Sequence, residues 1–252
     1  MSGGKYPYGP VGPTWEPVDN YTTSHLDARL KPSLTEGLAH AAKSSQAKGL
    51  PDIAVSGPQG KFLMLQARLL GVKHVVEVGT LGGYSSIWFA HASPSIKITT
   101  IEVDEHHAAV ARENLKFAGV DDRVEVIVGS GIDVLNRITE EVNQGKRERF
   151  GLAFVDADKE NNWTYFDLIA NISTPNACLI VDNVVRQGSL ADVEFAATNT
   201  RVQGCRLLVE KVGQDERTDA VVMQTVGEKS YDGFLLAAVR DDILEYLKSK
   251  GA

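Results

Sequence analysis

The feature that most constrains this fold is an alternation of short apolar runs with helix-forming stretches from residue 74 onwards. The runs are rich in Val and Ile, and they read HVVEVG, KITTIEV, RVEVIVG, GLAFVDA and ACLIVDN. Helices are predicted between them, starting near Ser85, Glu105 and Asn161 and around GIDVLNRITEEVN. Short strands separated by helices are typical of βαβ units. The sequence therefore predicts a doubly wound α/β fold with a mostly parallel sheet and helices on both faces.

The end of the chain departs from this alternation. AVVMQTVGEKSYDGFLLAAVR contains two apolar runs joined by a short polar loop, to which we assign Gly227 and Gly233. This pattern predicts a hairpin, and hence an antiparallel pair at one edge of the sheet. Upstream of the hairpin, VEFAATNTRVQGCRLLVEKV predicts one helix over the rim of the pocket.

The segment before the sheet is predicted to contain an arm and two helices. The first twenty residues are rich in Gly, Pro and aromatic side chains, which disfavours regular structure. The first helix is predicted to have Ser33 as its N-cap, with Glu36 completing a capping box. The buried face of the second helix is predicted to be Phe62, Leu65, Leu69 and Leu70. We divide the chain into residues 1–50, an N-terminal arm and helix, and residues 51–252, the main domain.

Composition argues against several classes of partner. The 252 residues carry a formal net charge of -7 at pH 7, whereas nucleic acids and anionic membranes are bound through basic surfaces. Two cysteines are too few for a disulfide framework. We recognise no signal peptide and no apolar stretch of the ~18 residues that a membrane span needs. We therefore expect a cytoplasmic protein that binds small molecules, with no nucleic-acid or membrane partner.

A glycine-rich turn follows the first predicted strand. In VVEVGTLGGYSS, Gly79, Gly82 and Gly83 let backbone N–H groups approach a ligand closely. Leu81 stands where the dinucleotide fingerprint has its second glycine, so the turn suits a nucleoside without a diphosphate. Glu102 ends the second strand, where a carboxylate can accept hydrogen bonds from ribose hydroxyls. Together these features predict an adenosine-type ligand; the alternative is a plain turn beside a solvated strand end.

Polar side chains follow two neighbouring strands of the predicted sheet. Asp156 follows GLAFV, and Asp182 and Asn183 follow ACLIV. The carboxyl ends of parallel strands meet at one edge, and three oxygen ligands there describe a site for a hard divalent cation. Without an ion, two converging carboxylates would raise each other's pKa. Lys159, about one helical turn after Asp156, is a candidate proton acceptor. The alternative is that both aspartates cap the helices that follow them.

In order and spacing, EVGTLGGYS, IEVDEHH, FVDADKEN and VDNVV resemble the cation-dependent O-methyltransferases that use S-adenosylmethionine, in particular the caffeoyl-CoA and catechol types. The resemblance covers roughly residues 51–186 and the closing YDGFLLAAVR. It implies a Rossmann-like, seven-stranded sheet with a C-terminal antiparallel pair. It also implies a homodimer, in which the N-terminal region helps to shape the acceptor pocket.

The resemblance implies a set of contacts to S-adenosylmethionine. Glu102 would bind the ribose hydroxyls, Asp158 would contact the amino end of the cofactor, and Gly131 would lie near the adenine. Val55 would line the same site. The methionine end would be held by Glu77, Gly79, Thr80 and Ser85.

The resemblance also implies the metal, the base and the reaction. Asp156, Asp182 and Asn183 match the ligands of Mg²⁺ or another divalent cation such as Mn²⁺. Lys159 matches the general base, and Gln187 lies where the family has a substrate-contacting residue. The expected reaction is cation-dependent methyl transfer to one hydroxyl of a vicinal aromatic diol, such as a catechol, caffeoyl or flavonoid-like acceptor. The alternatives are a Mg²⁺-dependent phosphohydrolase or receiver-like domain, and a module that binds the cofactor without turnover.

Overall fold

The computed structural model of the protein describes residues 15–227 and 230–251. Seven strands of this part of the chain form one sheet. In chain order they are His74–Val78 (β1), Lys97–Glu102 (β2), Val124–Val128 (β3), Phe150–Val155 (β4), Ser173–Val181 (β5), Thr218–Gly227 (β6) and Ser230–Val239 (β7).

The strand order across the sheet is β3-β2-β1-β4-β5-β7-β6. The first five strands pair in parallel, and β7 runs antiparallel to both β5 and β6. The order reverses between β1 and β4, which is the switch point at which doubly wound sheets bind their ligands. The predicted fold class, including the seven strands and the C-terminal hairpin, is confirmed.

Helices surround the sheet in the described residues. They are Trp15–Leu26 (α1), Pro32–Ala47 (α2), Gly57–Leu69 (α3), Tyr84–Ala90 (α4), Glu105–Phe117 (α5), Gly131–Asn143 (α6), Asn162–Asn171 (α7), Val193–Ala196 (α8), Thr200–Val212 (α9) and Ile243–Ser249 (α10). Two 3₁₀ segments, Lys159–Asn161 and Arg186–Ala191, follow the ends of β4 and β5. None of the described helices combines the length and the apolar character that a membrane span requires.

The sheet separates two apolar cores because successive side chains of a strand point to opposite faces. In β1, Val76 and Val78 enter one core, with residues from α6, α7, α9 and α10. Val75 enters the other core, with residues from α2, α3, α4 and α5. Helix α2 thus packs on the same core as the main sheet, and the division at residue 50 stays a prediction.

The predicted start of the chain needs two corrections. Helix α1 includes residues 15–20, which we had expected to lack regular structure, whereas residues 1–14 lie outside the described residues. No residue of α1 is buried. The capping box is wrong: α2 begins at Pro32, so Ser33 lies inside the helix, and Lys31 is an N-cap without a side-chain hydrogen bond. Proline favours the first helical position, because its φ is preset and it has no N–H to satisfy.

The predicted face of α3 is wrong at three of its four residues, whereas Phe62 is partly buried and packs against the core. Leu69 is 79% exposed, and Leu65 and Leu70 are exposed as well. The face that packs inward is built from residues spaced as i, i+3, i+4 and i+7, namely Gly60, Leu63, Met64 and Ala67. Its small members allow close packing: a Cβ atom on Gly60 would lie 2.2 Å from the ring of Trp88 on α4.

Two further predictions fail near the end of the chain. The stretch predicted as one helix forms α8 and α9, because Asn199 caps a new helix by accepting a hydrogen bond from the Val202 N–H at 3.1 Å. Gly233 lies within β7 and not in the hairpin loop. A Cβ atom there would be 2.2 Å from the carbonyl oxygen of Met223, so this glycine permits a close approach between strands.

One buried histidine makes the stability of this fold depend on pH. His74 begins β1 at the edge of the sheet opposite the switch point, and its Nε2 lies 3.0 Å from Thr99 Oγ1. Burial, assisted by the positive charge of Arg147, lowers the pKa of His74 from 6.5 to about 4. The folded state therefore binds this proton less tightly than the unfolded state. The contribution of neutral His74 is complete above pH 6.5 and is lost as the pH falls towards 4.

We expect this group to remove at most about 3 kcal/mol of unfolding free energy in acid. Denaturant unfolding of the wild type and of His74→Gln should be compared from about pH 7 to about pH 4.5. The wild type should lose more stability than the variant over this range. Equal losses in the two proteins would show that His74 does not carry the effect.

Candidate active site

A cavity of about 970 Å³ opens at the carboxyl ends of the parallel strands. Most of the residues predicted for cofactor, metal and catalysis line it. These are Val55, Gly79, Thr80, Ser85, Glu102, Gly131, Asp156, Asp158, Lys159 and Asn183. Among the described residues, Glu77, Asp182 and Gln187 do not line it, and Arg186, next to Gln187, does.

The glycine turn between β1 and α4 forms one wall of the cavity. Gly79 has a φ of 103°, and a Cβ atom on it would lie 2.1 Å from the carbonyl oxygen of Asp156. Only glycine therefore fits where β1 and β4 end side by side. Gly83, with a φ of 79°, is the N-cap residue of α4. Leu81 is left-handed as well, with a φ of 48°, and it turns its N–H towards Glu102.

Glu77 is fully buried behind the cavity wall. Its carboxylate accepts hydrogen bonds from Ser85 Oγ at 2.5 Å, from Thr100 Oγ1 at 2.7 Å and from the hydroxyl of Ser86. Burial raises the pKa of Glu77, and these three hydroxyl donors oppose the rise. Glu77 thus links α4 to the sheet, and Ser85, which it holds, lines the cavity.

Glu102 is held in place by backbone donors. Its Oε2 accepts a hydrogen bond from Leu81 N–H at 2.7 Å, and its Oε1 accepts one from Asp104 N–H at 3.0 Å. Each carboxylate oxygen can accept more than one hydrogen bond, so both oxygens can still receive hydroxyl donors from the cavity. The carboxylate is therefore preorganised for a diol such as the ribose of a nucleoside.

Asp158 and Gly131 meet at a tyrosine that the sequence did not single out. Tyr165 on α7 donates its hydroxyl to Asp158 Oδ1 at 2.5 Å. Burial, and then this hydrogen bond, raise the pKa of Tyr165, so the hydroxyl remains a donor. The same ring lies against Gly131, where a Cβ atom would be 2.8 Å from ring carbon Cε1. A larger residue at 131 would displace the ring.

The two acidic strand ends lie side by side. Asp182 donates its backbone N–H to the carbonyl oxygen of Val155 at 2.9 Å, which places it next to Asp156. Lys159 Nζ donates to Asp156 Oδ1 at 2.8 Å, and the lysine is only 7% exposed. Asp182 is 5% exposed, and burial together with the charge of Asp156 raises its pKa to about 7. The site thus joins a buried carboxylate, Asp182, to a partly exposed one, Asp156, and the two repel each other.

A residue from α3, Gln59, orients the buried carboxylate. Its Nε2 donates to Asp182 Oδ2 at 2.7 Å, and the backbone N–H of Asn183 donates to Oδ1 at 2.8 Å. Asn183 itself has a left-handed φ of 54°, and its carbonyl oxygen accepts a weak hydrogen bond from Cys205 Sγ at 3.6 Å. Sequence reasoning missed Gln59 because only the fold brings α3 to the end of β5.

The donor set suits a hard divalent cation. Two carboxylates and one amide oxygen are the ligand types that Mg²⁺ prefers, and a cation between Asp156 and Asp182 would relieve the repulsion that raises the Asp182 pKa. Across residues 15–227 and 230–251, no three His, Cys, Asp or Glu side chains gather in a metal-binding arrangement. The fit therefore depends on Asn183 as the third ligand.

Helix α9 closes the cavity on the side of Lys159. A Cβ atom on Gly204 would lie 2.1 Å from the carbonyl oxygen of Lys159, so the helix packs directly on the 3₁₀ segment that carries the lysine. This packing brings Arg201, near the start of α9, to the cavity. Trp163 packs against the apolar core and stacks on Phe166, with 6.1 Å between the ring centroids.

The sheet order, the glycine turn, the carboxylate of Glu102 beside that turn and the acid pair fit the class of Rossmann-like methyltransferases. The model of the O-methyltransferase family matches residues 28–238. The chain belongs to the O-methyltransferase family, and the predicted enzyme class is confirmed.

Relatives support this membership. The chain is 49% identical to O-methyltransferase imqG of Aspergillus flavus over 231 residues, which cover 90% of this chain and 92% of the relative. It is 42% identical to catechol O-methyltransferase of Mycobacterium tuberculosis, over 85% of this chain and 95% of the relative. The crystal structure of an O-methyltransferase from Bacillus cereus in complex with SAH has a TM-score of 0.81 and 41% identity, and covers 90% of this chain and 99% of its own.

These findings decide between the functions that the sequence left open. Membership in the O-methyltransferase family argues against a phosphohydrolase or receiver-like domain. A module without turnover is also not what the family membership supports, since the matched model and relatives are O-methyltransferases.

Proposed function

We propose that this enzyme transfers a methyl group from S-adenosylmethionine to one hydroxyl of a vicinal aromatic diol, in a reaction that needs a divalent cation. The observation that carries the proposal is the carboxylate pair of Asp156, which lines the cavity, and the buried Asp182, with Lys159 beside Asp156. Relatives that are named catechol O-methyltransferases support the choice of acceptor. Solved relatives in complex with SAH and SAM support the methyl donor.

Within this proposal, the cofactor lies along the glycine turn with its ribose at Glu102. The methionine end would be surrounded by Gly79, Thr80 and Ser85. Glu77 would support this end by holding the hydroxyl of Ser85 through a hydrogen bond. Asp158 would accept a hydrogen bond from the amino group of the cofactor. Gly131 would lie near the adenine, and Val55 would line the same site. The hydrogen-bonding capacity that Glu102 retains supports this placement.

Replacing Glu102 by Gln should weaken the binding of S-adenosylhomocysteine (SAH) at least about tenfold. The amide has one acceptor oxygen where the carboxylate has two, and its NH₂ would face a backbone N–H donor. Calorimetric titration with SAH measures the effect. Glu105→Gln, an exposed acid nearby on α5, is the matched control and should bind as the wild type does. Unchanged affinity in Glu102→Gln would move the ribose elsewhere.

The acceptor would be held where Asp156, Asp182 and Asn183 converge. A bound divalent cation supplies a Lewis acid that lowers the pKa of a coordinated hydroxyl. Gln59 would keep the Asp182 carboxylate turned to the site. Lys159 Nζ, as the neutral amine, would take the hydroxyl proton, and the resulting oxygen would take the methyl group from the sulfonium sulfur. Holding the acceptor and the methyl donor in line lowers the barrier through orientation, a contribution that reaches ~7–11 kcal/mol in well-aligned systems.

Methyl transfer should depend on the cation. With labelled S-adenosylmethionine and caffeic acid, activity should disappear in excess EDTA and return when Mg²⁺ or Mn²⁺ is added beyond the chelator. Product formation is followed by incorporation of the label. Full activity in EDTA would contradict the metal site, and no transfer to any vicinal diol would contradict the acceptor class.

Lys159 should act as the base. Lys159→Met should lower kcat by ~10²–10⁴, and Lys159→Arg should not restore it, because a guanidinium does not deprotonate in a protein. Both variants should keep the wild-type affinity for SAH, which separates the loss from misfolding. A pH–rate profile that is unchanged in Lys159→Met would assign the base elsewhere.

Gln187 as a substrate contact, the homodimer and the cytoplasmic location stay predictions. A wild-type KM in Gln187→Ala would contradict the substrate contact. A monomer in analytical ultracentrifugation would contradict the homodimer. An organellar or secreted pool in cell fractionation would contradict the cytoplasmic location.

A further inference from the structure

Two arginines line the active-site cavity without a partner of their own. Arg186 and Arg201 reach the same cavity as Lys159. Within residues 15–227 and 230–251, neither guanidinium forms an ion pair or donates a hydrogen bond. By contrast, Arg217 pairs with Asp167 at 2.6 Å. Arg186 is half-buried and Arg201 is exposed. A guanidinium that lines a cavity with its donors unused is suited to an anionic group on a ligand.

The backbone holds Arg186 in an unusual conformation. Its φ is 53°, and Gln187 follows with a φ of 56°, so two residues that are not glycine are left-handed in succession. Asp232 fixes this turn by accepting the N–H groups of Arg186 at 2.8 Å and of Gly233 at 2.9 Å. The carboxylate of Asp232 thus holds the backbone, and the side chain of Arg186 remains available to the cavity. Backbone strain of this kind clusters at ligand-binding sites.

Arg201 is placed over the same end of the cavity by the start of α9. Thr200 Oγ1 donates to Glu160 Oε1 at 2.8 Å, which ties the helix to the segment that carries Lys159. The pKa of Glu160 is lowered first by its own backbone N–H and by Thr200, and further by Arg201 and Arg186. Both guanidinium groups therefore lie near this one carboxylate, although neither pairs with it. A further cavity-lining cation besides Lys159, Lys43, stands on α2, which packs chiefly on α4 and α5.

We propose that Arg186 and Arg201 form an anion subsite that selects acceptors carrying a carboxylate, so that the natural acceptor is a catechol acid. The inference rests on the proposed function and specifies its substrate. The acid would ion-pair with the two guanidinium groups while the diol lies at Asp156, Asp182 and Asn183. A neutral catechol would leave both cations unpaired, and it would bind less tightly.

The test compares caffeate with its methyl ester, which has the same diol and no charge. Arg186→Gln and Arg201→Gln should each raise KM for caffeate about tenfold, the effect of one charge-assisted hydrogen bond. They should leave kcat and the kinetics of the ester nearly unchanged, and Arg201→Lys should recover part of the loss. Lys211→Gln, which removes an exposed charge farther along α9, is the control and should change neither acceptor. Equal effects on caffeate and ester would overturn the proposal.

A binding measurement separates this proposal from the reaction itself. Cinnamate has the carboxylate but no diol, and cinnamyl alcohol has neither, so their calorimetric binding to the SAH-loaded enzyme needs no turnover. Cinnamate should bind more tightly, and the two Arg→Gln variants should abolish the difference. Equal binding of the two compounds overturns the subsite, even where the ester is methylated. A preference for caffeoyl-CoA over caffeate that the variants abolish would assign the arginines to phosphate, and it overturns the carboxylate.

Discussion

The parallel pairing of β4 with β5 is the constraint on which the site depends. Because the two strands run in the same direction, their ends meet at one edge, where the Asp182 N–H bonds to the carbonyl oxygen of Val155 at 2.9 Å. The register thus brings two carboxylates together, Asp182 buried and Asp156 facing the cavity. Burial and repulsion raise the pKa of Asp182 to about 7, and Lys159 and Gln59 each supply one donor in response. An antiparallel β5 would have carried Asp182 to the opposite edge.

The strands of the sheet could be predicted from the sequence because short Val- and Ile-rich runs favour β-strands. The sequence was not sufficient for the helices, where packing overrides a local pattern. On α3, larger leucines formed a plausible face, yet Gly60 turns inward because a side chain at that position would collide with the ring of Trp88. At α2, Ser33 had the residue type of a cap, but the helix starts at Pro32, two positions earlier than a cap at Ser33 requires. Packing against Trp88 thus determines which face of α3 is buried, and Pro32 determines where α2 begins.

The same distinction applies to the site. Residues at strand ends could be predicted, since a parallel sheet brings strand ends together whatever the details of the loops. Gln59 could not be, because it precedes Asp182 by 123 residues on an element whose docking is set by the whole fold. Arg186 could not be predicted either, because the sequence carries no sign of the left-handed turn that contains it beside the cavity.

A calorimetric titration with Mn²⁺ tests whether Asp156 and Asp182 hold a divalent cation. The wild-type enzyme should bind one ion per chain. Asp182→Asn should bind it at least about tenfold more weakly because a charged ligand is lost. Asp121→Asn, which changes an exposed acid away from the cavity, should bind Mn²⁺ as the wild type does. If Asp182→Asn binds Mn²⁺ as tightly as the wild type does, or if the wild type shows no saturable binding, the two aspartates do not hold the cation.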